Sequence, residues 1–213
     1  MNEEKAIPVQ KSWNLVADIG GTNARFAVHD ISNDVLAEVF VLSVKQQPDF
    51  IAALEHVLYQ IGQLSQWQLS PSAVCLAVAC PVDQDLIQFT NSDWKFSKIR
   101  LGQMFGSVPL EVINDFSAVA HTIPHLNPDE WHQIGGDQPV ADKPVAILGA
   151  GTGLGVCTLV PVGQHYIVVD GEGGHIDFAP VNQREMDILK VLKTRFKRVS
   201  VERLLSGAGI VNI

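Results

Sequence analysis

Apolar runs separated by short polar stretches dominate the first third of the chain, and their spacing predicts strands followed by a helix. Residues 15–28 contain two apolar runs around the polar, glycine-rich stretch 20–23, which predicts two short strands joined by a tight turn. A third strand is predicted over 35–42. In the segment 48–64, apolar residues recur at three- and four-residue steps, which predicts a helix that begins at Pro48. The three strands are expected to form an antiparallel sheet on which the helix packs.

Two later segments are apolar at nearly every position. Residues 73–79 and 110–113 have the pattern of strands buried on both faces, as in a parallel sheet with helices above and below. A short strand is predicted over 86–89. The segment 110–113 leads directly into the polar pair 114–115 and then into a predicted helix over 116–123. This alternation of strands and helices predicts an α/β fold.

A loop-rich tract of proline and glycine residues over 124–144 is the predicted domain boundary. It separates a small α/β domain over 1–124 from a second α/β domain over 125–213. Three strands are predicted beyond the tract, over residues 145–148, 156–160 and 166–169. The glycine-rich stretch 149–155 follows the first of them, so the second domain repeats the strand, glycine and threonine turn, strand arrangement of the opening hairpin.

The last part of the chain carries helix signals. Asn182 is followed three residues later by Glu185, a capping-box pattern that predicts the start of a helix. Ser200 is predicted to cap a last short helix that runs through Leu205 and is ended by Gly207. Residues 210–213 have the pattern of the first turn of a new element. Because the second domain is too short to complete a sheet covered on both faces, the sequence is expected to be a fragment of a longer protein.

Composition and charge restrict the function classes. The chain has 213 residues, of which 46% are hydrophobic and 18% charged, as in an ordinary soluble globular protein. Its net charge of −8 disfavours nucleic-acid and anionic-membrane partners, because both need a basic surface. The three cysteines lack CxxC spacing, and no apolar run approaches the roughly 20 residues needed to cross a membrane. A cytoplasmic protein is therefore expected, and the sequence is compatible with a homodimer.

Both glycine-rich turns are candidate phosphate sites. Glycines let backbone N–H groups approach an anion closely, and threonine adds a side-chain donor. The candidate residues are Gly20, Gly21 and Thr22 in the first turn and Gly151, Thr152 and Gly153 in the second. Asp18, near the end of the first predicted strand, is a candidate to hold a hydrated Mg2+ against the phosphates. The alternative is that both turns are hairpins in which glycine and threonine serve backbone geometry only.

Asp115 is the candidate general base. It follows a predicted buried strand and begins a predicted helix, which is where ligand sites gather in α/β sheets. Because the unperturbed pKa of aspartate is about 3.9, its carboxylate is ionised at neutral pH and can accept a proton from an attacking alcohol. The alternative is that Asp115 only caps its helix. The neighbouring Asn114 favours the functional interpretation.

A second polar group lies among glycines at 171–175. Glu172 and His175 offer hydrogen-bond partners on a backbone free of bulky side chains, a composition that suits a polyhydroxylated ligand. A structural or solvated histidine is the alternative, and metal ligation is disfavoured because no cysteines or other histidines lie at ligand spacing. By its position alone, Glu202 is expected to complement the dipole of the last helix.

Several motifs occur in order over nearly the whole chain, and together they resemble those of bacterial glucokinases. They are residues 17–25 (ADIGGTNAR), 77–81 (AVACP), 90–91 (TN), 112–116 (VINDF), 149–155 (GAGTGLG), 171–178 (GEGGHIDF) and 200–207 (SVERLLSG). The related sugar-kinase and repressor group carries a cysteine zinc motif after its histidine, which this sequence lacks. The resemblance is therefore to the glucokinase branch.

The resemblance implies an actin-like, ribonuclease-H-like ATPase fold in which a small and a large α/β domain close on glucose and ATP. It implies that Asp115 is the catalytic base and that the sugar-binding residues are Asn91, Asn114, Asp115, Glu172, His175 and Glu202. It also implies that ATP and Mg2+ are served by Asp18, Gly20, Gly21, Thr22, Gly151, Thr152 and Gly153. Members of the family continue beyond the equivalent of Ile213, into the adenine pocket and the rest of the large domain.

Two hypotheses for function follow. The first is an ATP-dependent kinase that phosphorylates glucose to glucose 6-phosphate, with Asp115 activating the primary hydroxyl. The second is a non-catalytic sugar-binding sensor or an inactive fragment of a sugar kinase, which keeps the carbohydrate site without phosphoryl transfer. Glucose-dependent release of ADP distinguishes them.

Overall fold

The computed structural model describes residues 10–89, 92–138 and 140–213. The chain divides into two compact units, Met1–Asp115 and Phe116–Ile213. The division falls between Asp115 and Phe116, which is earlier in the chain than the boundary after residue 124 that the sequence predicts. No helix among the described residues is long and apolar enough to cross a membrane.

The first unit is built around a mixed five-stranded sheet. Its strands and helices are β1 (Trp13–Ile19), β2 (Asn23–Asp30), β3 (Val35–Ser43), α1 (Phe50–Gly62), β4 (Val74–Val78), β5 (Leu86–Gln88), β6 (Lys95–Ser97), α2 (Lys98–Phe105) and β7 (Leu110–Asn114). The order of strands in the sheet is β3-β2-β1-β4-β7. β1 to β3 pair antiparallel, whereas β1, β4 and β7 are parallel. The predicted opening hairpin and the predicted parallel strands are thus confirmed.

Helix α1 begins at Phe50, slightly later than the sequence predicts. Asp49 is its N-cap, and the Asp49 side chain accepts a hydrogen bond from the backbone N–H of Ala52. Pro48 therefore precedes the cap instead of beginning the helix. The buried Phe50 stacks on Phe96 of the small β5–β6 hairpin, with ring centroids 4.3 Å apart. This contact joins the hairpin to the main core of the unit.

The N-terminal end of β1 is anchored by a buried carboxylate. Lys11 Nζ lies 2.8 Å from Asp30 Oδ2, and the Asp30 side chain is 3% exposed. The same carboxylate accepts hydrogen bonds from the side chain of Asn33 and the backbone of Ser32. The hydrogen bond from Lys11, followed by those from Asn33 and Ser32, lowers the pKa of Asp30 to about 2 against the opposing effect of burial.

We expect this cluster to make stability acid-sensitive. The pKa of Asp30 is lower in the folded chain than the value of about 3.9 expected in the unfolded chain. Its contribution is therefore present above about pH 4 and is lost as the pH falls from about 4 towards 2. Urea unfolding across that range should show a smaller pH dependence for Asp30→Asn than for the parent chain. An unchanged slope would contradict the role of Asp30.

The described residues of the second unit form a three-stranded antiparallel sheet and three α-helices. Its elements are α3 (Asp115–Thr122, whose first residue belongs to the first unit), β8 (Val145–Ala150), β9 (Leu154–Val162), β10 (His165–Gly171), α4 (Gln183–Arg195) and α5 (Gly207–Asn212). The strand order is β10-β9-β8. Two separate small cores form, one between α3 and the sheet around Ile147 and Leu159, and one around Leu192 and Leu204 beside α4.

The predicted start of α4 agrees with the structure, whereas the predicted last helix differs from it. Asn182 caps α4 by accepting a hydrogen bond from the backbone N–H of Glu185, as predicted. Ser200 makes no such side-chain bond, and only a 3-10 turn follows it at Val201–Arg203. Gly207 begins α5, with Ser206 as the N-cap. The prediction that Gly207 ends a helix is therefore wrong, because Ser206 starts a new one beside it.

Candidate active site

Within the first unit, the ends of three parallel strands meet at one edge of the sheet. Ile19 of β1 is in register with Val78 of β4, and Val78 with Asn114 of β7. Asp18 and the first glycine turn therefore lie at the same edge as Asn114 and Asp115. Since β4 separates β1 from β7, the two groups are roughly 10 Å apart at the usual strand spacing. This edge is the usual position of ligand sites in α/β sheets.

Asp18 lies on an exposed face at this edge and pairs with an arginine. Its Oδ2 accepts a hydrogen bond of 2.8 Å from Arg25 of β2, the residue directly opposite in the hairpin. Both side chains are about half exposed, at 53% for Asp18 and 54% for Arg25. The sequence does not predict this pair, although the register of a two-strand hairpin brings the two residues together.

Asp18 offers one carboxylate to a metal ion, and that carboxylate pairs with Arg25 in this structure. No cluster of three or more His, Cys, Asp or Glu side chains with metal-binding geometry occurs in the described part of the chain. Mg2+ usually keeps several waters and is held by one or two carboxylates together with substrate phosphates. A single exposed carboxylate such as Asp18 fits that mode and does not fit an all-protein metal cage.

The first glycine turn, at 20–22, connects β1 to β2, and backbone hydrogen bonds hold it in place. Gly20 N donates to Asn23 O at 3.0 Å, and Val44 N donates to Thr22 O at 3.0 Å. A Cβ added at Gly20 would make only ordinary contact. In the described residues, glycines with positive φ occur at 106, 136 and 163 and in neither phosphate candidate turn. Left-handed backbone is therefore not the reason for glycine in either turn.

Asn114 and Asp115 form the junction between β7 and α3. Asn114 Nδ2 donates to the backbone oxygen of Cys80 at 3.4 Å, so the loop after β4 is tied to the end of β7. Burial, and then the negative charge of Asp115, raises the pKa of the Cys80 thiol to about 11. Asp115 itself is half-buried. The candidate sugar residue Asn91 lies outside the described residues.

In the second unit, the glycine turn at 151–153 connects β8 to β9. Gly151 N donates to Gly153 O at 2.8 Å, and Gly207 N at the start of α5 donates to Gly151 O at 2.8 Å. Gly151 and Thr152 are exposed. A Cβ at Gly151 would meet no heavy atom within 4 Å, so the space beside this residue is open. The turn is therefore exposed beside Gly151 and Thr152, although the N–H and the carbonyl of Gly151 are both hydrogen-bonded within the second unit.

Two glycines that flank the turn serve packing instead. A Cβ at Gly149 or at Gly155 would overlap the ring of Phe116. Phe116 follows Asp115 directly, and its backbone oxygen also accepts a hydrogen bond from Cys157 Sγ of β9 at 3.5 Å. Phe116 thus packs closely against the β8–β9 hairpin, and these two glycines make that approach sterically feasible.

The glycine-rich loop after β10 packs on the same hairpin. A Cβ at Gly174 would overlap the backbone oxygen of Leu154, and one at Gly173 would come within 2.8 Å of Val156 Cγ1. Glu172 and His175 lie on the exposed side of this loop, with His175 Nε2 3.5 Å from Glu172 Oε2. Both predicted sugar residues are thus adjacent and accessible.

Glu202 contacts the second glycine turn directly. Its Oε2 accepts a hydrogen bond of 2.9 Å from Leu154 N, and a Cβ at Gly153 would overlap the same oxygen. The sequence position suggests only a helix-dipole role for this carboxylate. The structure gives Glu202 a defined partner 48 residues away. The second unit therefore places the candidate sugar residue Glu202 directly against the candidate phosphate turn.

Two further groups of hydrogen bonds hold the elements around these candidate residues, and the sequence predicts neither of them. Arg198 donates to the backbone oxygen of His175 at 2.9 Å and to Asp177 Oδ1 at 2.5 Å, which ties the sugar-candidate loop to the segment after α4. The buried Ser117 of α3 donates a short hydrogen bond to Asp170 of β10. The only sequence signal for either pair is a polar residue next to a recognised motif.

Comparison with known proteins identifies the family. A family model described as Glucokinase matches residues 15–213. The chain belongs to the glucokinase family. A glucokinase from Photorhabdus laumondii is 42% identical over 201 residues, which cover 94% of this chain and 61% of that protein. A glucokinase from Salmonella typhi matches with the same identity and coverage. The chain thus spans about three fifths of the length of these glucokinases.

Solved structures agree on the fold. A crystal structure of glucokinase from an Antarctic psychrotroph is 35% identical, with a TM-score of 0.78, and the match covers 95% of this chain and 63% of that one. A glucokinase from Balamuthia mandrillaris in complex with glucose is 21% identical, with a TM-score of 0.73 and coverage of 95% and 61%. Glucokinases and related sugar kinases have the actin-like ATPase fold, so the predicted fold class is confirmed.

Proposed function

We propose that the full-length protein transfers the γ-phosphoryl group of ATP to the primary hydroxyl of glucose and forms glucose 6-phosphate. The observation that carries this proposal is the position of Asp115. A half-buried carboxylate follows the last parallel strand of the sheet, within a chain that matches the glucokinase model over residues 15–213. Ligand sites of open α/β sheets lie at this end of the strands.

In the proposed reaction, the Asp115 carboxylate accepts the proton of the sugar hydroxyl as the hydroxyl oxygen attacks the γ-phosphorus. A new O–P bond forms, the bond to the bridging oxygen of ADP breaks, and the electron pair of that bond leaves with ADP. The proton remains on Asp115 until it passes to solvent. Little covalent chemistry is required of the protein, so most of the rate enhancement comes from positioning and charge stabilisation.

We propose that the remaining polar candidates hold the sugar. Asn114 is fixed by its hydrogen bond to the Cys80 backbone, whereas Glu172 and His175 are exposed and adjacent on a loop of limited bulk. The assigned sugar ligands are Asn91, Asn114, Asp115, Glu172, His175 and Glu202. A carboxylate accepts from a hydroxyl and an amide can both donate and accept, so this set suits the alternating hydroxyls of a hexose.

We propose that ATP phosphates bind the backbone of both glycine turns, at Gly20, Gly21 and Thr22 and at Gly151, Thr152 and Gly153. The open space beside Gly151 supports this role. Asp18 would hold Mg2+ through water, and its hydrogen bond with Arg25 would then be weakened. The ion would neutralise charge on the β- and γ-phosphates.

We also propose that the protein functions in a reducing cytoplasm. The free thiols of Cys75, Cys80 and Cys157 support this location.

Calorimetry distinguishes this kinase from a sugar-binding sensor. We expect glucose to bind the full-length protein, and Mg2+ and ATP to produce sustained heat from turnover together with release of ADP that depends on glucose. Xylose, which lacks the primary hydroxymethyl group, serves as the control and should bring about no transfer. Binding of glucose without any glucose-dependent ADP release would instead support the sensor.

A further inference from the structure

We infer that Glu202 is a positioning residue that holds the second glycine turn in place for the nucleotide. This role is additional to sugar binding, and it rests on the proposed function because the turn is assigned there to the ATP phosphates. The observations that carry it all lie within the second unit. They are the hydrogen bond from Leu154 N, the close approach to Gly153, and the backbone bond that holds the other side of the turn.

The turn is held at both of its ends. On one side, Gly207 N donates to Gly151 O at 2.8 Å. On the other side, the Glu202 carboxylate accepts from Leu154 N at 2.9 Å. A hydrogen bond to an ionised acceptor is roughly twice as strong as one between neutral groups. Removal of the carboxylate would therefore weaken the restraint at the exit of the turn, where Leu154 is still paired with Ala150, while the entry stays fixed.

The glycine at 153 is required by this contact. A Cβ at Gly153 would overlap Glu202 Oε2, so the carboxylate lies directly against the backbone of the turn. No other side chain at position 153 would permit the same approach. Gly153 therefore serves the Glu202 contact, which is a different role from the open space beside Gly151. Two glycines that look equivalent in the sequence thus have separate functions.

With the ligands assigned as proposed above, one carboxylate would contact both the sugar and the turn that binds the nucleotide. Oε2 accepts the hydrogen bond from Leu154 N, and we assign Oε1 to a sugar hydroxyl. Sugar bound to Oε1 would restrain the same side chain that restrains the turn, so occupancy of the sugar site would favour the nucleotide-binding form of the turn. Linkage requires the converse as well, with nucleotide strengthening sugar binding by the same factor.

Amide hydrogen exchange of Leu154, followed by NMR in this chain, tests the contact without any need for activity. We expect exchange at Leu154 to be about tenfold faster in Glu202→Ala, as for loss of a charge-assisted hydrogen bond. Glu202→Gln keeps a neutral acceptor and should restore most of the protection. Glu172→Gln is the matched control, since Glu172 is 75% exposed and makes its ion pair with His175. Equal exchange at Leu154 in all four proteins would overturn the proposal.

Steady-state kinetics of the full-length protein test the positioning role itself. Glu202→Ala should raise the KM for ATP about tenfold as well as the KM for glucose, whereas Glu172→Gln should raise only that for glucose. In Glu202→Gln, the KM for ATP should recover more than the KM for glucose. An unchanged KM for ATP in Glu202→Ala would show a purely sugar-binding or structural role and would refute the inference.

The two readouts separate this inference from the proposed function. If the parent protein does not phosphorylate glucose, the proposed function fails, and with it the assignment of the turn to ATP. The exchange rate of Leu154 would still decide whether Glu202 holds the turn. If the parent protein is active and the exchange rate is insensitive to Glu202, the inference alone is wrong.

Discussion

Asp115→Asn is expected to lower the turnover of the full-length protein by a factor of about 100 or more while glucose binding stays largely intact. The amide keeps the size of the carboxyl group and can still hydrogen-bond to a hydroxyl, but it cannot accept the proton as the hydroxyl attacks. The loss should therefore appear in kcat and much less in the KM for glucose. Stopped assays of glucose 6-phosphate, together with calorimetric titration of glucose, measure the two quantities separately.

The matched control is Glu111→Gln, which makes the same change from carboxylate to amide on β7, the strand that ends directly before Asp115. Glu111 is exposed, and no role in binding or chemistry is assigned to it. Its turnover should stay close to that of the parent protein, and both variants should unfold at similar temperatures. Turnover of Asp115→Asn near the parent value would remove Asp115 from the role of base. A parallel loss in Glu111→Gln would point to a general disturbance of β7.

The second large effect is expected for Gly174→Ala, which should lower the free energy of unfolding by about 2 kcal/mol, as for overpacking of a close contact. The new Cβ would overlap the backbone oxygen of Leu154 and would lie 3.0 Å from Leu154 Cβ. A backbone oxygen in a paired strand cannot move aside cheaply. For a chain of this size, the melting temperature should fall by roughly 4–8 °C. Thermal unfolding followed by circular dichroism measures the shift.

Gly151→Ala is the control for that variant and a probe of the phosphate site. Its Cβ would meet nothing within 4 Å, and Gly151 is not among the glycines with positive φ, so the melting temperature should be unchanged. If the exposed backbone at 151 contacts phosphate, the KM for ATP should nevertheless rise more than the KM for glucose. Equal stability loss in both variants would instead support the interpretation of the turn as a hairpin that serves only packing.

The elements that the sequence predicts well are those with a strong local signal. The opening hairpin and the strands β4 and β7 have long apolar runs with clear breaks, and the Asn182 cap precedes a regular helical pattern. β6 and α2 were missed because β6 has only three residues and α2 mixes Lys98, Arg100 and Gly102 into its few apolar positions. Short amphipathic elements depend on tertiary contacts that a local pattern does not encode.

The glycines show why the site was harder to predict than the fold. In the sequence, four glycines alternate with other residues over 149–155, and Gly151 and Gly153 are predicted to belong to a phosphate turn. The structure separates them, since Gly149 and Gly155 make room for Phe116, Gly153 lies against Glu202, and Gly151 faces open space. These differences arise from partners far away in the chain. A single sequence has no signal for such contacts, so the role of Glu202 at the turn emerges only from the fold.

Phosphorus NMR of the full-length protein with Mg2+, ATP and glucose tests the central claim most directly. The account predicts a phosphomonoester signal from glucose 6-phosphate that grows in step with ADP, depends on glucose, and is reduced about 100-fold or more in rate by Asp115→Asn. Unchanged ATP in the presence of glucose, or hydrolysis of ATP to inorganic phosphate without a sugar phosphate, would contradict it.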